Sequence, residues 1–378
     1  VTTRHAAPPA PPEQRTALAA RTHSPRPGDA LDEAAGRAFR LPVAAIAGAC
    51  ALVALACLLS VSQGAAGLPV EGVVRSLLDR LPLIAVEQSL SDQQQQVLWQ
   101  IRLPRTVLAA LVGGALAMAG ASYQGVFRNP LADPYLLGVS AGAGLGAVLA
   151  LGFGLDLAWG PVGALPAAAF LGAILAVTGS VLVARGSFRD PATLLLAGVA
   201  MAALFSATQT FALQRLDQTR AREVLSWLFG RLATAGWAPV TLLIPYVVLA
   251  GVVLLLHARH LDVLRLGDDE ARALGLHPAR SRLVVVLAAT LITAAAVSVS
   301  GLIAFVGLVT PHIVRILVGH SYRILVPLSF LVGAAFLAFV DIGARTLVAP
   351  AELPVGVITA FVGAPFFCYV LWRRKQDT

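Results

Sequence analysis

Apolar residues in this chain gather into long blocks, with neither the two-residue alternation of a half-buried strand nor the single stripe of a surface helix. Residues 41–70, 106–127, 191–214, 232–256, 283–311, 324–340 and 353–372 contain no Asp, Glu, Lys or Arg. Hydrocarbon about 30 Å thick is crossed by roughly 20 residues of helix, so each block predicts a membrane span. Residues 134–184 hold one charge, Asp156, and are too long for a single crossing; the Gly- and Pro-rich stretch 152–166 divides them into two helices. Residues 301–319, which include Arg315, make one more. The pattern therefore predicts an all-α polytopic protein of about ten spans, with only a short break near Ser300 and Gly301 between the seventh and eighth.

The polar stretches predict smaller elements. Residues 1–40 carry Pro and Arg without an apolar period, the composition of a disordered tail ahead of a membrane domain at 41–375. The outside segments are 64–101, with a short amphipathic helix near 70–81, and 214–237. The long inside loop, 257–282, contains a short helix at 266–276, with Asp268, Asp269 and Glu270 in its first turn and Gly275 at its C-terminal cap. Spans two to five and seven to ten read as two inverted four-helix sets.

Small residues recur every four positions at Gly113, Ala117, Ala121 and Gly125, and again at Gly138, Gly142 and Gly146. These are helix-packing faces, since small side chains let backbones approach closely in lipid. Cys50, Cys57 and Cys368 all fall in predicted spans and read as small packing residues; Cys50 and Cys57, seven apart on one helix, are too distant for a disulfide. Asp341 and Arg345 stand four apart and can pair on one helix face. His257 and His260 share a face at a metal-compatible spacing, though no Cys or carboxylate set accompanies them. Thr208, Gln209 and Thr210 place polar groups in the fifth span, either along a path or bonded to a neighbouring helix.

Composition agrees with the membrane reading, with 57% of the 378 residues apolar and 13% charged, against about 25% charged in a soluble domain. The net charge of +8 is spread singly through loops without a basic stripe, which argues against nucleic acid. With both termini inside, 19 of the 28 basic residues fall on the inner side, as the positive-inside rule requires of the cytoplasmic face. The single lysine, Lys375, follows the last span, so no phosphate-cradling loop with its lysine ahead of a helix can be built. ATP, if used, is bound by another chain. H-E-x-x-H, G-x-S-x-G and paired intramembrane carboxylates are also absent, so the sequence predicts neither enzyme activity nor a cofactor or metal site. A stand-alone ion-coupled transporter would want several buried acids, and only Asp156 and Asp341 are candidates.

The stretch Trp99-Gln100-Ile101-Arg102-Leu103-Pro104-Arg105-Thr106, then Arg128-Asn129-Pro130-Leu131-Ala132-Asp133-Pro134 and Leu137-Gly138-Val139-Ser140, closely resembles the FecCD-type permeases, membrane subunits of bacterial importers for ferric siderophores, haem and cobalamin. The resemblance continues through Phe305–Arg315, Asp341–Arg345, Glu352–Gly356 and Gly363–Phe366, and covers about residues 42–374. It implies a type II ABC importer permease fold and a homodimer in the bacterial cytoplasmic membrane, both termini cytoplasmic. It also implies two ATPase subunits below and a periplasmic or lipoprotein binding protein above. Arg102 and Arg345, with Arg105 as a weaker candidate, match arginines that receive acidic residues of the binding protein as exposed charges. Residues 266–276 match the coupling helix that fits the ATPase, with Glu270, Ala271, Leu274 and Gly275 at its contacts. Residues 189–195, among them Pro191, Ala192 and Thr193, match a cytoplasmic gate region. The implied cargo is an iron chelate, with cobalamin the alternative.

Overall fold

The computed structural model describes residues 27–64, 67–80, 89–154, 163–185, 188, 190–232 and 236–374. Asp156, Arg189, Lys375 and the tail before Pro27 lie outside these residues. Fourteen helices are described. They are α1 (Pro27–Ser62), α2 (Val70–Leu78), α3 (Asp92–Val97), α4 (Leu103–Val126), α5 (Val139–Gly152), α6 (Ala164–Val183), α7 (Pro191–Leu213), α8 (Gln218–Leu228), α9 (Ala238–Leu264), α10 (Asp268–Ala273), α11 (Pro278–Ser300), α12 (Val306–Val318), α13 (Tyr322–Thr346) and α14 (Val355–Arg374). A π-turn at Leu98–Arg102 joins α3 to α4. Seven helices have the length and apolarity to cross a membrane, and α5, α12 and α14 are shorter apolar helices, matching the ten predicted blocks.

Contacts divide the chain into Val1–Ala45 and Ile46–Thr378. Within the first unit, α1 begins at Pro27, so residues 27–40 are helical where composition predicted a disordered tail. The reason is local: Ala, Leu, Arg and Glu, strong helix formers, make up eight of the eleven residues Ala30–Arg40 despite Gly36, and proline suits a first turn.

In the second unit α4 is the central element. Nearly every residue from Pro104 to Val126 is buried, against α9, α11, α12 and α13. The small-residue faces explain the closeness: a Cβ added to Gly113 would lie 2.2 Å from the Gly333 carbonyl oxygen, and one on Gly120 would lie 2.0 Å from that of Gly307. On α5, Gly142 meets Gly172 of α6 in the same way. Cys50 and Cys368, by contrast, are exposed on outward surfaces and do not act as core packing residues. For a span that surface is lipid, which is as apolar as a thiol and exerts no pull inward.

The break between the seventh and eighth spans is real. Gly301 adopts φ 70 and Phe305 the left-handed φ 68, so the chain is non-helical between Ser300 and Val306. Backbone groups freed inside a membrane protein need partners. The Tyr135 hydroxyl accepts from the Ile303 amide (3.1 Å) and donates to its carbonyl (3.0 Å), while the Arg231 amide donates to the Ser300 carbonyl at 2.8 Å. Segment 214–237, read as a connection, contains α8, capped by Asp217, whose side chain accepts from the amides of Thr219 and Arg220.

Candidate functional site: two charged ends of one buried helix

Arg105 opens α4 and Arg128 follows its end, 23 residues later, which at 1.5 Å per residue separates them by about 35 Å. Each anchors a charged cluster, so the clusters occupy opposite ends of the bundle.

At the first end, Arg105 bonds two carboxylates at once. Its Nε and Nη2 donate to Asp341 at 3.0 and 2.9 Å, and its Nη1 and Nη2 to Glu352 at 2.9 and 3.0 Å. Asp341 is fully buried and also receives Arg345 Nε at 3.1 Å, so the predicted i,i+4 pair is present within a larger network. The Arg105 links to Asp341 and Glu352 span more than two hundred residues of sequence and had no local signal. Arg102 and Arg345 turn to the end of α1. Arg102 Nη1 donates to the carbonyls of Val61 (2.8 Å) and Ser62 (2.9 Å), and Arg345 to those of Ser60 (2.9 Å) and Gln63 (3.1 Å). Helix C-terminal carbonyls lack intrahelical partners and carry partial negative charge, so both guanidiniums cap α1. The expectation of exposed docking charges is corrected here: Arg102 is 6% exposed and Arg105 9%. The π-turn immediately before α4 ends on Arg102, and sequence periodicity gives no sign of it.

At the opposite end, the predicted loop helix is α10, and two glycines bound it. Gly267 adopts φ 138, and a Cβ there would meet the Glu270 carboxylate. Gly275, at φ 80, ends the helix, its amide bonding the Arg272 carbonyl while that of Leu276 bonds Ala271. Asp268 ties α10 to its surroundings, receiving Arg282 of α11 at 2.5 and 2.9 Å and also Arg128. The Arg282 hydrogen bonds, with Arg128 in support, hold the Asp268 carboxyl below the usual carboxylate range. Ala271 is fully buried against this scaffold and is a packing residue, whereas Leu266 and Leu274 are 63% and 65% exposed, apolar side chains in a polar loop.

Pro191 occupies the first turn of α7, and Asp190 caps it, accepting from the Ala192 amide (3.0 Å) and the Thr193 hydroxyl (2.5 Å). Ala192 and Thr193 are exposed, on a helix whose outward face carries Leu196, Val199, Leu204 and Phe211. Thr208 and Thr210 bond back to carbonyls of their own helix, at Leu204 and Ser206. His257 and His260 stack edge to face, and among the described residues no group of three metal-ligating side chains occurs.

Residues 39–373 match the model of the FecCD transport family. The chain belongs to that family. Similar proteins include the cobalamin import system permease of Halobacterium salinarum, 43% identical over 75% of this chain and 75% of that protein. The hemin transport system permease of Yersinia pestis is 39% identical over 76% and 87% of the two chains. The iron(3+)-hydroxamate import permease of Bacillus subtilis is 39% identical over 90% and 85%. Among solved structures, one titled as an inward-facing conformation of a metal-chelate type ABC transporter matches with a TM-score of 0.75 and 33% identity, covering 86% of this chain and 98% of that one. FecCD membership makes this chain a polytopic membrane permease of an ABC importer, the kind of subunit that works with ATPase partners.

Proposed function

We propose that this chain, as a homodimer with two ATPase subunits and a periplasmic or lipoprotein binding protein, carries an iron chelate, a ferric siderophore or haem, across the bacterial cytoplasmic membrane. The observation that carries the reading is the pairing of two unlike ends on the rigid helix α4. At one end, α10 is held to α4 and α11 through Asp268 while Leu266 and Leu274 face outward. Exposed apolar residues on a pinned helix suit a fitted protein groove, so a push on α10 is delivered directly to the spans. Leu274, Glu270 and the turn at Gly275 would meet the ATPase, and Ala271 would hold the helix in place. This end is the cytoplasmic one, with both termini on the same side.

At the other end two guanidiniums, Arg105 and Arg345, hold the carboxylates Asp341 and Glu352, with Arg102 beside them on the α1 carbonyls. Because these arginines are largely buried, they act on an acidic binding protein through their field, steering and orienting it. The path between the ends follows the apolar hollow of about 590 Å³ beside Phe229, Leu302 and Phe361, whose walls offer cargo little to hold. The start of α7, at Pro191, Ala192 and Thr193, is the proposed cytoplasmic gate, a role that rests on the family resemblance of residues 189–195.

Cobalamin is the second reading, favoured by the 43% identity to a cobalamin permease. The deciding experiment is co-purification of the chain with its ATPase, together with uptake in proteoliposomes holding the whole complex. Leu274→Asp should abolish both while leaving the permease folded. Unchanged assembly and uptake would sink the coupling assignment, and uptake by the chain alone on an ion gradient would favour a secondary transporter. Identifying the compound bound by the partner binding protein separates siderophore, haem and cobalamin.

A further inference from the structure

Helix α2 presents three faces, and one of them has no cover among the described residues. Gly72, Val73 and Ser76 are buried, and a Cβ on Gly72 would stand 2.5 Å from the Leu90 side chain. Glu71 and Arg75 pair across one turn on a polar face that Asp79 continues. Val70, Val74, Leu77 and Leu78, at i, i+4, i+7 and i+8, form a third stripe, apolar and between 36% and 46% exposed.

Single exposed leucines are ordinary on a protein surface, whereas a whole helical stripe of apolar side chains marks a contact face. The level at which α2 sits says what it meets. Val73 packs in one cluster with Val61 of α1 and Leu98 of the π-turn, flanked by Leu58 of α1 and Leu103 at the start of α4. The α1 residues belong to the last turns of a span that runs to Ser62, so α2 lies where the hydrocarbon ends. Along α1, Ile46, Leu52 and Leu55 are exposed, as on a surface that faces lipid, and Ser60, Val61 and Ser62 are buried. The lipid-facing side of that span therefore runs up to α2. Trp99 marks the same level: its Nε1 donates to the Ser76 hydroxyl at 3.1 Å, and the Arg80 guanidinium lies 4.4 Å over its ring. The indole of Trp237 joins it, donating to the Trp99 carbonyl at 2.9 Å. Tryptophan and arginine gather at headgroup level because each has an apolar body and a polar end.

We propose that the apolar stripe of α2 lies in the headgroup boundary of the phospholipid leaflet at this end of the bundle, making α2 an interfacial anchor. An amphipathic helix buries its apolar face about 5–10 Å into that boundary. Glu71, Arg75, Asp79 and Arg80 sum to no net charge, so apolar area rather than lipid charge holds the helix. The anchor also has a mechanical consequence. Val73 shares its cluster with Leu98, the first residue of the π-turn that ends on Arg102, and Arg102 caps α1. Lipid contact at α2 thus fixes the depth of that turn in the membrane.

The test uses the full chain in phosphatidylcholine nanodiscs without ATPase or binding protein, so failure of the importer reading leaves it untouched. With Cys50, Cys57 and Cys368 replaced by alanine, a bimane fluorophore is attached at Val74→Cys, Leu77→Cys or Arg75→Cys. Its quenching by a phospholipid with a nitroxide near the headgroup is compared with quenching by aqueous iodide. The ratio of lipid to iodide quenching should be severalfold higher at Val74→Cys and Leu77→Cys than at Arg75→Cys. Equal ratios, with iodide reaching all three, would place the stripe in water, open to a protein partner, and overturn the proposal. Quenching of Val74→Cys and Leu77→Cys by neither agent would overturn it too, by showing the stripe covered by the chain itself, for which the apolar run Leu81-Pro82-Leu83-Ile84-Ala85-Val86 is available. A second measurement needs no variant: phosphatidylcholine carrying a photoreactive diazirine on its acyl chain should label the peptide of residues 70–78 in the wild-type chain, and absence of that label would overturn the proposal.

Discussion

Arg105 offers a controlled comparison, since one guanidinium bonds two carboxylates that differ mainly in burial. Asp341 is fully enclosed and Glu352 keeps 44% of its side chain exposed, yet both are bonded at about 3 Å. Breaking a buried pair by removing one partner costs about 3–5 kcal/mol, because the survivor is left charged in a poor solvent. An exposed pair is worth about 0–1 kcal/mol. Arg105→Gln should fall near the lower buried figure, about 3 kcal/mol, because Arg345 still holds Asp341 at 3.1 Å. Asp341→Asn should cost more, since it leaves Arg105 and Arg345 side by side without their shared acid. Glu352→Gln should cost under about 1 kcal/mol. Equilibrium unfolding of the detergent-solubilised chain would rank the three. A Glu352→Gln loss equal to or larger than that of Arg105→Gln would refute the claim that burial sets the value of these contacts.

Gly120→Ala forces a methyl to within 2.0 Å of the Gly307 carbonyl and should cost about 1–3 kcal/mol; Gly48→Ala, with nothing within 4 Å, should be neutral or slightly stabilising in the same melt. Asp268 has its carboxyl held down by Arg282 and Arg128, so its contribution is present above the ordinary carboxylate pKa of about 4 and is lost as pH falls through the lowered value. Limited proteolysis of the connection 265–277 between α9 and α11 should therefore be constant from about pH 8 to 5, whereas Asp268→Asn should speed it across that whole range. Under the docking proposed for this end, Glu352→Lys, which adds positive charge at a half-exposed position, should speed capture of the binding protein at low salt, an advantage that titrated salt removes.

The spans are legible because lipid imposes one crude demand, about 20 residues without charge; most charge-free blocks meet it, while 283–311 is broken at 301–305 and 353–372 holds a shorter apolar helix. The loop helix was legible for a similar reason: acidic residues in its first turn and a glycine after its last are local chemistry. Helix α8 carries a local signal too, with Asp217 as its cap, but the polarity of segment 214–237 alone points to a connection. What stayed hidden is long-range or geometric. No spacing rule joins Arg105 to Asp341 and Glu352, or Tyr135 to Ile303, and the π-turn at Leu98–Arg102 leaves the residue pattern unchanged. The resemblance leads Arg102, Arg105 and Arg345 to be expected as exposed charges, and no local pattern says otherwise. They are buried because the α1 carbonyls and the Asp341 carboxylate replace water around them.

These hidden contacts explain why the two ends of α4 can act on one another. A helix whose glycines bring its backbone against those of α12 and α13 has no compliant side-chain layer to absorb displacement. Arg105 fastens one end of α4 to α13 through Asp341, and Arg128 fastens the other to α10 through Asp268. Under the coupling proposed for α10, a force applied there would be passed to α4, α12 and α13 together. By contrast α7 and α14 show long exposed apolar faces and few buried positions, so under the same proposal they are where relative motion would be taken up. Residues 301–305, non-helical and bridged by the Tyr135 hydroxyl, lie where α12 meets that looser side. Glycine marks where backbones touch on α7 and α14 as well, at Gly198 against the Leu136 carbonyl and Gly356 against the Phe229 carbonyl, so what sets these two helices apart is the leucine and phenylalanine on their exposed faces.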